Sequence, residues 1–337
     1  MLFIVNALVA ILVLYISSIL KAARDKKLAK ANENYEQVLT SYLFEEISSE
    51  EAIRKLKYIN RPRYREAFLS MLFNYQTNLR GDSDAKILEI FERLNLQQDA
   101  GKMANSVFFY KRVMGIRTLT NMYPQKASPF IQKHINDPND YVRSEAQISY
   151  VYINQTKPFA FFDQLVRPFT RWTQMNVFFL VRLYDIQVPS LSAWLKSNHR
   201  NIRNFSLRMV THFQQQEHKD EIIALLDHPD ELTRFLAIRA VSELRLLEGK
   251  QKLIEIFESE TIKNQMEILM AFNQIGENED IEFLGKVVCG NNISLKIEAC
   301  RTLNQMSREG RDYLERLRAF PELNIDLFIS HVSDPRN

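Results

Sequence analysis

Glu221-Ile-Ile-Ala-Leu-Leu-Asp227, running on into His228-Pro-Asp-Glu-Leu-Thr-Arg234, decides the fold. It is an apolar phrase at helical spacing, then a polar break, then a second helical phrase. Lys252-Leu-Ile-Glu-Ile-Phe-Glu258 repeats the first phrase, and Asp137-Pro-Asn-Asp-Tyr-Val-Arg143 repeats the break. Aligned on this pattern, Ile135, Val166, Leu195, Leu226, Phe257 and Val288 stand 31, 29, 31, 31 and 31 residues apart. A fixed period of this length predicts a stacked helical array. Such an array has no single core, because each unit buries its apolar face on its neighbours. Val166, Leu195, Leu226, Phe257 and Val288 are therefore expected to be buried.

The second helix repeats as well. Taking Val142, Met175, Ile202, Thr233, Ile262 and Leu295 as equivalent anchors, the next residues are Arg143, Asn176, Arg203, Arg234, Lys263 and Lys296. Four residues after each anchor come Ala146, Phe179, Ser206, Ala237, Met266 and Ala299, and Lys111, Arg112 and Gly115 form one earlier member. Small residues let helices approach closely. A base after the anchor can reach back to the turn, where Asp137, Asn198 and Asp227 lie. The turn prolines fall near helix starts, where a missing N–H does no harm.

The Asp-Pro-x-x-x-Val-Arg phrase with its later Ala resembles HEAT and HEAT-like repeats, over residues 105–320. HEAT and armadillo periods run to about 40–47 residues, so these units resemble the short bacterial HEAT-like kind. The tetratricopeptide and ankyrin signatures are absent. The resemblance implies an α-solenoid that binds partners, and no one activity. Deoxyhypusine hydroxylases, a HEAT-like class, hold iron through His-Glu pairs, but no His here is followed by Glu. Alkylpurine DNA glycosylases, another such class, bind duplex DNA on a basic concave face. The Arg/Lys column imitates that face, but it also fits a ladder that satisfies exposed helix ends.

Only 8 Gly and 10 Pro occur in 337 residues, and no strand-like alternation is bounded by turns, which predicts an all-α protein. Cys289 and Cys300 are too few for a disulfide framework and are expected as buried packing residues. Charge is uneven. Residues 1–215 hold 29 Lys and Arg against 18 acids, whereas residues 216–290 hold 8 against 16. The acidic stretch argues against nucleic acid, and the basic end favours an anionic partner or membrane.

Residues 2–20 carry no charge. As a helix they would span about 28 Å, close to a bilayer core of about 30 Å. Lys21, Arg24, Lys26, Lys27 and Lys30 follow. The positive-inside rule then predicts a single-pass helix in the inner membrane with the solenoid in the cytoplasm. The alternative is a cleaved signal peptide that leaves a periplasmic solenoid. Residues 21–47 read as a basic, polar juxtamembrane helix and 48–104 as a divergent cap. Residues 105–320 are the repeats and 321–337 a tail. Ser48-Ser-Glu-Glu51 reads as a capping box, and residues 64–78 and 84–96 as a helical hairpin. Lys21, Arg24, Lys26, Lys27, Arg54, Lys55, Lys57, Arg61, Arg63 and Arg65 are candidates for contact with anionic headgroups. The bland reading of this charge run is a solvated face.

Between Tyr150 and Tyr184 the chain is rich in Phe and Arg, with a single Trp. Helical spacing assigns most of the Phe rings to the core. Arg167, Arg171 and Trp172 are the candidate partner-binding residues, because aromatic and Arg anchors tend to carry interface energy. No His-Glu-x-x-His, Cys-x-x-Cys, phosphate loop or nucleophile elbow occurs. No catalytic residue, metal or cofactor is expected. The sequence thus predicts a non-enzymatic, membrane-tethered adaptor for a protein partner, in an envelope or polysaccharide assembly. A nucleic-acid-binding protein is the alternative.

Overall fold

Side-chain caps start most of the repeating helices. Asn139, Thr170, Asp230, Thr261 and Asn292 each accept a hydrogen bond from a backbone N–H of the first turn. The computed structural model describes residues 2–79, 82–320 and 325–333, without the side chains of 2–5, 7–9, 82 and 333. Among the described residues every regular element is helical. Two compact units divide the chain, residues 1–161 with 165–167, and residues 162–164 with 168–337.

The first unit contains α1 (Leu2–Leu43), α2 (Ser49–Lys55), α3 (Pro62–Asn78), α4 (Asp82–Arg93), α5 (Leu96–Ala104), α6 (Phe109–Met122), α7 (Pro124–His134) and α8 (Asp140–Ile153). Ser48 Oγ accepts from the Glu51 N–H at the start of α2, which is half of the expected capping box, while the Glu51 carboxylate pairs with Lys55 at 2.7 Å. The second unit contains α9 (Arg171–Leu183), α10 (Ser192–Leu195), α11 (Arg200–His212), α12 (Lys219–Ala224), α13 (Glu231–Glu243) and α14 (Lys250–Ile256). It continues through α15 (Ile262–Ile275), α16 (Ile281–Val288), α17 (Ile293–Met306), α18 (Arg308–Leu317) and α19 (Asp326–Ser333). The longer helices of the repeats pack side by side, α6 on α8 in the first unit and α11, α13, α15 and α17 in sequence in the second. This is the α-solenoid pattern.

The sequence ruler holds with one slip. Ile135, Leu195, Leu226, Phe257 and Val288 are buried, but Val166 is 79% exposed and its neighbour Leu165 is buried instead. The first helix of that repeat is reduced to a 3-10 turn, Ala160–Gln164, which advances the chain differently from an α-helix. The Val166 N–H is satisfied by Asn136 Oδ1 at 3.0 Å. Cys300 is buried as expected, whereas Cys289, just past the end of α16, is exposed.

Two anchors of the second helix are also displaced. Met175 and Ile262 are exposed, and the buried equivalents are Thr173 and Asn264. Each lies three residues after its cap, as do Val142, Ile202, Thr233 and Leu295. With that register the next position reads Arg112, Arg143, Gln174, Arg203, Arg234, Gln265 and Lys296. Five of its side chains, from Arg143 to Gln265, reach back to carbonyls of the turn or short helix that precedes them. Arg143 donates to Asp137 O at 2.7 Å and Gln174 to Phe169 O at 2.9 Å. Arg203 donates to Ser197 O at 2.8 Å, Arg234 to His228 O at 2.9 Å and Gln265 to Phe257 O at 2.8 Å. Three positions further on come Gly115, Ala146, Val177, Ser206, Ala237, Ile268 and Ala299, all buried.

Asp137 is a buried turn acid. Its carboxylate accepts from the Asn139 N–H at 2.9 Å, pairs with Arg112 at 3.1 Å and meets His134 Nδ1 at 2.9 Å. Burial alone would raise its pKa, but these three contacts hold the carboxyl below the ordinary aspartate value. Asp227 pairs with Lys252 at 2.8 Å, so it is not a rung of the arginine column.

The N-terminal helix is continuous from Leu2 to Leu43, so no break separates the expected spanning and juxtamembrane segments. Its described side chains are exposed from Asn6 to Lys27. Ala31, Tyr35, Val38, Leu39 and Tyr42 are buried, at the spacing of one helix face. That half of α1 packs on α2, α3 and α4, so it belongs to the first unit's core and is not a free linker. Among the described residues no helix is long and apolar enough to cross a membrane. The expected span 2–20 is not shown; it is helical, and the side chains of residues 2–5 and 7–9 lie outside the described ones.

Candidate functional site

A groove of about 500 Å³ opens along the second unit across α9, α11 and α13. The cap-and-period pattern that stacks these helices also points the same face of each toward it. Arg171, Met175 and Phe178 come from α9, Phe205, Arg208 and His212 from α11, and Leu236, Arg239 and Glu243 from α13. Behind the groove, Phe162, Phe169 and Phe205 meet edge-on or tilted at 5.1–5.9 Å and form its support.

Arg208 and Arg239 occupy one column of the repeat, nine residues after the caps His199 and Asp230. Arg117 and Arg301 share it. The column has a rule. Arg117 pairs with Glu145 of the next long helix through Nε at 3.1 Å, and Arg239 pairs with Glu267 of the next at 3.5 Å. Both glutamates lie six residues after their caps. The matching position opposite Arg208 is Leu236. Arg208 is left with a hydrogen bond to Gln174 Oε1 at 3.3 Å. Burial, then the like charges of Arg171 and Arg239, push its guanidinium below the ordinary arginine value. Arg239 also pairs with Glu243 at 2.6 Å. The groove can thus hold an anion beside an apolar side chain.

The predicted partner-binding residues fall as follows. Arg171 lines the groove and Trp172, next to it, is 65% exposed. Arg167 is exposed and belongs to the first unit. Trp172, Met175, Phe179 and Leu183 form an exposed stripe on α9 at helical spacing. Phe159, Phe161, Phe162 and Phe169 are core, as the sequence predicts.

Of the predicted membrane-surface residues, Lys21, Arg24, Lys26 and Lys27 are exposed on α1, and Arg54 and Lys57 are exposed near the end of α2. Lys55 pairs with Glu51 at 2.7 Å. Arg61 lies over the Tyr58 ring, and Arg63 pairs with Asp25 of α1 at 2.6 Å. Arg65 does not belong with them. It is partly buried, donates to Asp99 and to the Leu94 carbonyl, and ties α3 to α5.

The sequence reading missed Arg208 and Arg239, and it assigned Phe178 and Phe179 to the core, whereas Phe178 lines the groove and Phe179 is exposed. The signal was the 31-residue spacing of Arg208 and Arg239, legible only once the caps fix the register. It also missed Val107, Phe108, Phe109, Tyr110 and Tyr141, an exposed apolar cluster on the first unit in which Phe109 stacks on Tyr141 at 5.9 Å.

Residues 188–271, which contain α10 to α14 and most of α15, match the family of HEAT repeats. No curated protein matches the chain. Among solved structures, the X-ray structure of YibA from Escherichia coli is similar, at 12% identity and a TM-score of 0.39, over 71% of this chain and 92% of that one. The chain is thus an all-helical repeat protein among the described residues, with a HEAT-repeat match inside its second unit.

Proposed function

We propose that this chain is a non-enzymatic adaptor, tethered to a membrane by the N-terminal half of α1, that docks a protein partner on α9 and the groove beside it. The observation that carries this reading is the α9 stripe. Trp172, Met175, Phe179 and Leu183 are 59–65% exposed beside Arg171, and large apolar side chains set in such a row mark an interaction surface. Tethering is supported by the uncharged residues 2–20, the bases that follow them and the exposed flank of α1. The same bases favour a cytoplasmic solenoid under an inner membrane. An envelope or polysaccharide assembly is the client that this architecture fits.

The test is capture from detergent-solubilised membranes with the full chain. One specific partner should be retained by the wild type and lost by Trp172→Ala with Phe179→Ala, while both proteins stay in the pellet after alkaline carbonate washing. Equal recovery of that partner by the double variant overturns the docking surface. Release of the wild type by carbonate overturns the tether.

A further inference from the structure

Four of the seven repeats place an arginine in this column, and the one of them without a carboxylate, Arg208, lies in the groove. The other three have carboxylates: Arg117 and Arg239 meet Glu145 and Glu267 of the next long helix, and Arg301 meets Glu298 of its own helix. Opposite Arg208 the carboxylate is replaced by Leu236. Arg208 instead faces Arg171 and Arg239, with Glu243 the one acid among the lining residues and already paired to Arg239. His212 also lines the groove. Around these charges stand Met175, Phe178, Phe205 and Leu236. Arg239 is compensated by Glu243 and Glu267, but Arg171 and Arg208 bring like charges to an apolar floor, and an anion set against them relieves that repulsion.

We infer that the groove between α9, α11 and α13 binds an acidic amphipathic segment of the partner protein, which supplies from outside the carboxylate that the repeat omits at Leu236. This rests on the adaptor reading and names the chemistry of its partner. The segment sets a carboxylate against Arg208, between Arg171 and Arg239, and an apolar side chain against Met175, Phe178 and Leu236. A phosphodiester would satisfy the arginines but leave that apolar floor without a partner, so a peptide is favoured over nucleic acid. The groove crosses three helices, α9, α11 and α13, and a helix of about 14 residues, about 21 Å long, can lie along it.

The test uses the full chain in detergent and a fluorescein-labelled synthetic helix of about 14 residues. Glutamates lie along one face of the peptide and leucines along the other, and binding is read by anisotropy. The wild type should bind it. Arg208→Leu should weaken binding about tenfold or more, as loss of a charge-assisted contact does. Leu236→Glu restores the missing internal carboxylate and should weaken binding as much, by occupying Arg208. Lys286→Leu, which removes an equal charge on α16, should leave binding unchanged. If Leu236→Glu fails to fold, Arg208→Leu decides. No binding by the wild type, or equal binding of a glutamine analogue of the peptide, overturns the inference. In either case, capture that still depends on Trp172 and Phe179 keeps the adaptor reading. Displacement of the peptide by duplex DNA at matched charge concentration overturns the assignment to a protein segment.

Discussion

Arg234 of α13 reaches forward to Glu260, in the turn before α15, with Nη2 3.0 Å from Oε2. The same guanidinium donates backward to His228 O, so one side chain fastens its own turn and the next. Glu260 is nearly buried and also accepts from Asn264 at 2.8 Å. Removing one partner of a buried pair leaves the other uncompensated. Glu260→Ala should therefore cost about 3 kcal/mol, read as a lower urea midpoint with unchanged slope. A loss below about 0.5 kcal/mol, the surface-substitution range, would show that the pair does not hold the turn.

Acid should weaken both units, with a defined sign. Burial would raise the carboxyl pKa of Asp137 in the first unit and of Glu260 in the second, but their partners hold both below their ordinary values. A depressed folded-state pKa contributes stability above the unfolded value and loses it as pH falls through the folded one. The urea midpoint should be flat near neutrality and fall progressively below about pH 4. Asp137→Asn should lower the neutral plateau and shallow the fall. A profile that steepens in this variant contradicts the assignment.

The corrected register makes a paired prediction. Leu165 is 4% exposed and Val166 is 79% exposed. Leu165→Ala should cost about 2–5 kcal/mol as a core truncation, and Val166→Ala less than about 0.5 kcal/mol. Thermal unfolding of the two variants side by side checks it, and the reverse order would restore the uncorrected ruler.

Three long helices of the second unit end alike. Asp185, Gln214 and Arg245 have φ of 48°, 55° and 54°, and the residue after each donates to a carbonyl five back. The three bonds run from Ile186 to Val181, Gln215 to Val210 and Leu246 to Val241, at 2.9–3.0 Å. This is the Schellman end, usually built on glycine. Arg245→Gly should relieve the left-handed strain and stabilise the protein by about 1 kcal/mol in thermal unfolding. A lower midpoint would show that the Arg245 side chain matters more than its backbone.

Period and cap chemistry made most of the fold legible, because Leu195, Leu226, Phe257 and Val288 repeat in kind as well as in place. The reading slipped at Val166, Met175 and Ile262, where apolar residues sit on the surface and a polar Thr173 or Asn264 takes the buried slot. Hydropathy cannot see such an exchange, since it depends on which hydrogen bonds the turn provides. The left-handed helix ends were invisible because no glycine marks them. Half of the groove was legible. Arg171 and Trp172 stand out in composition, but Arg208 matters through the carboxylate it lacks, and an absence has meaning only against a fixed register.

The unbroken course of α1 makes it a lever arm. Leu20 and Ala31 lie on one helix, about 16 Å apart along its axis, with no glycine or proline between them. A flexible leash would set only how far the first unit can wander. A stiff handle also sets its heading, so whatever grips the exposed half of α1 steers the first unit. A turn of the helix about its own axis swings that unit through the same angle.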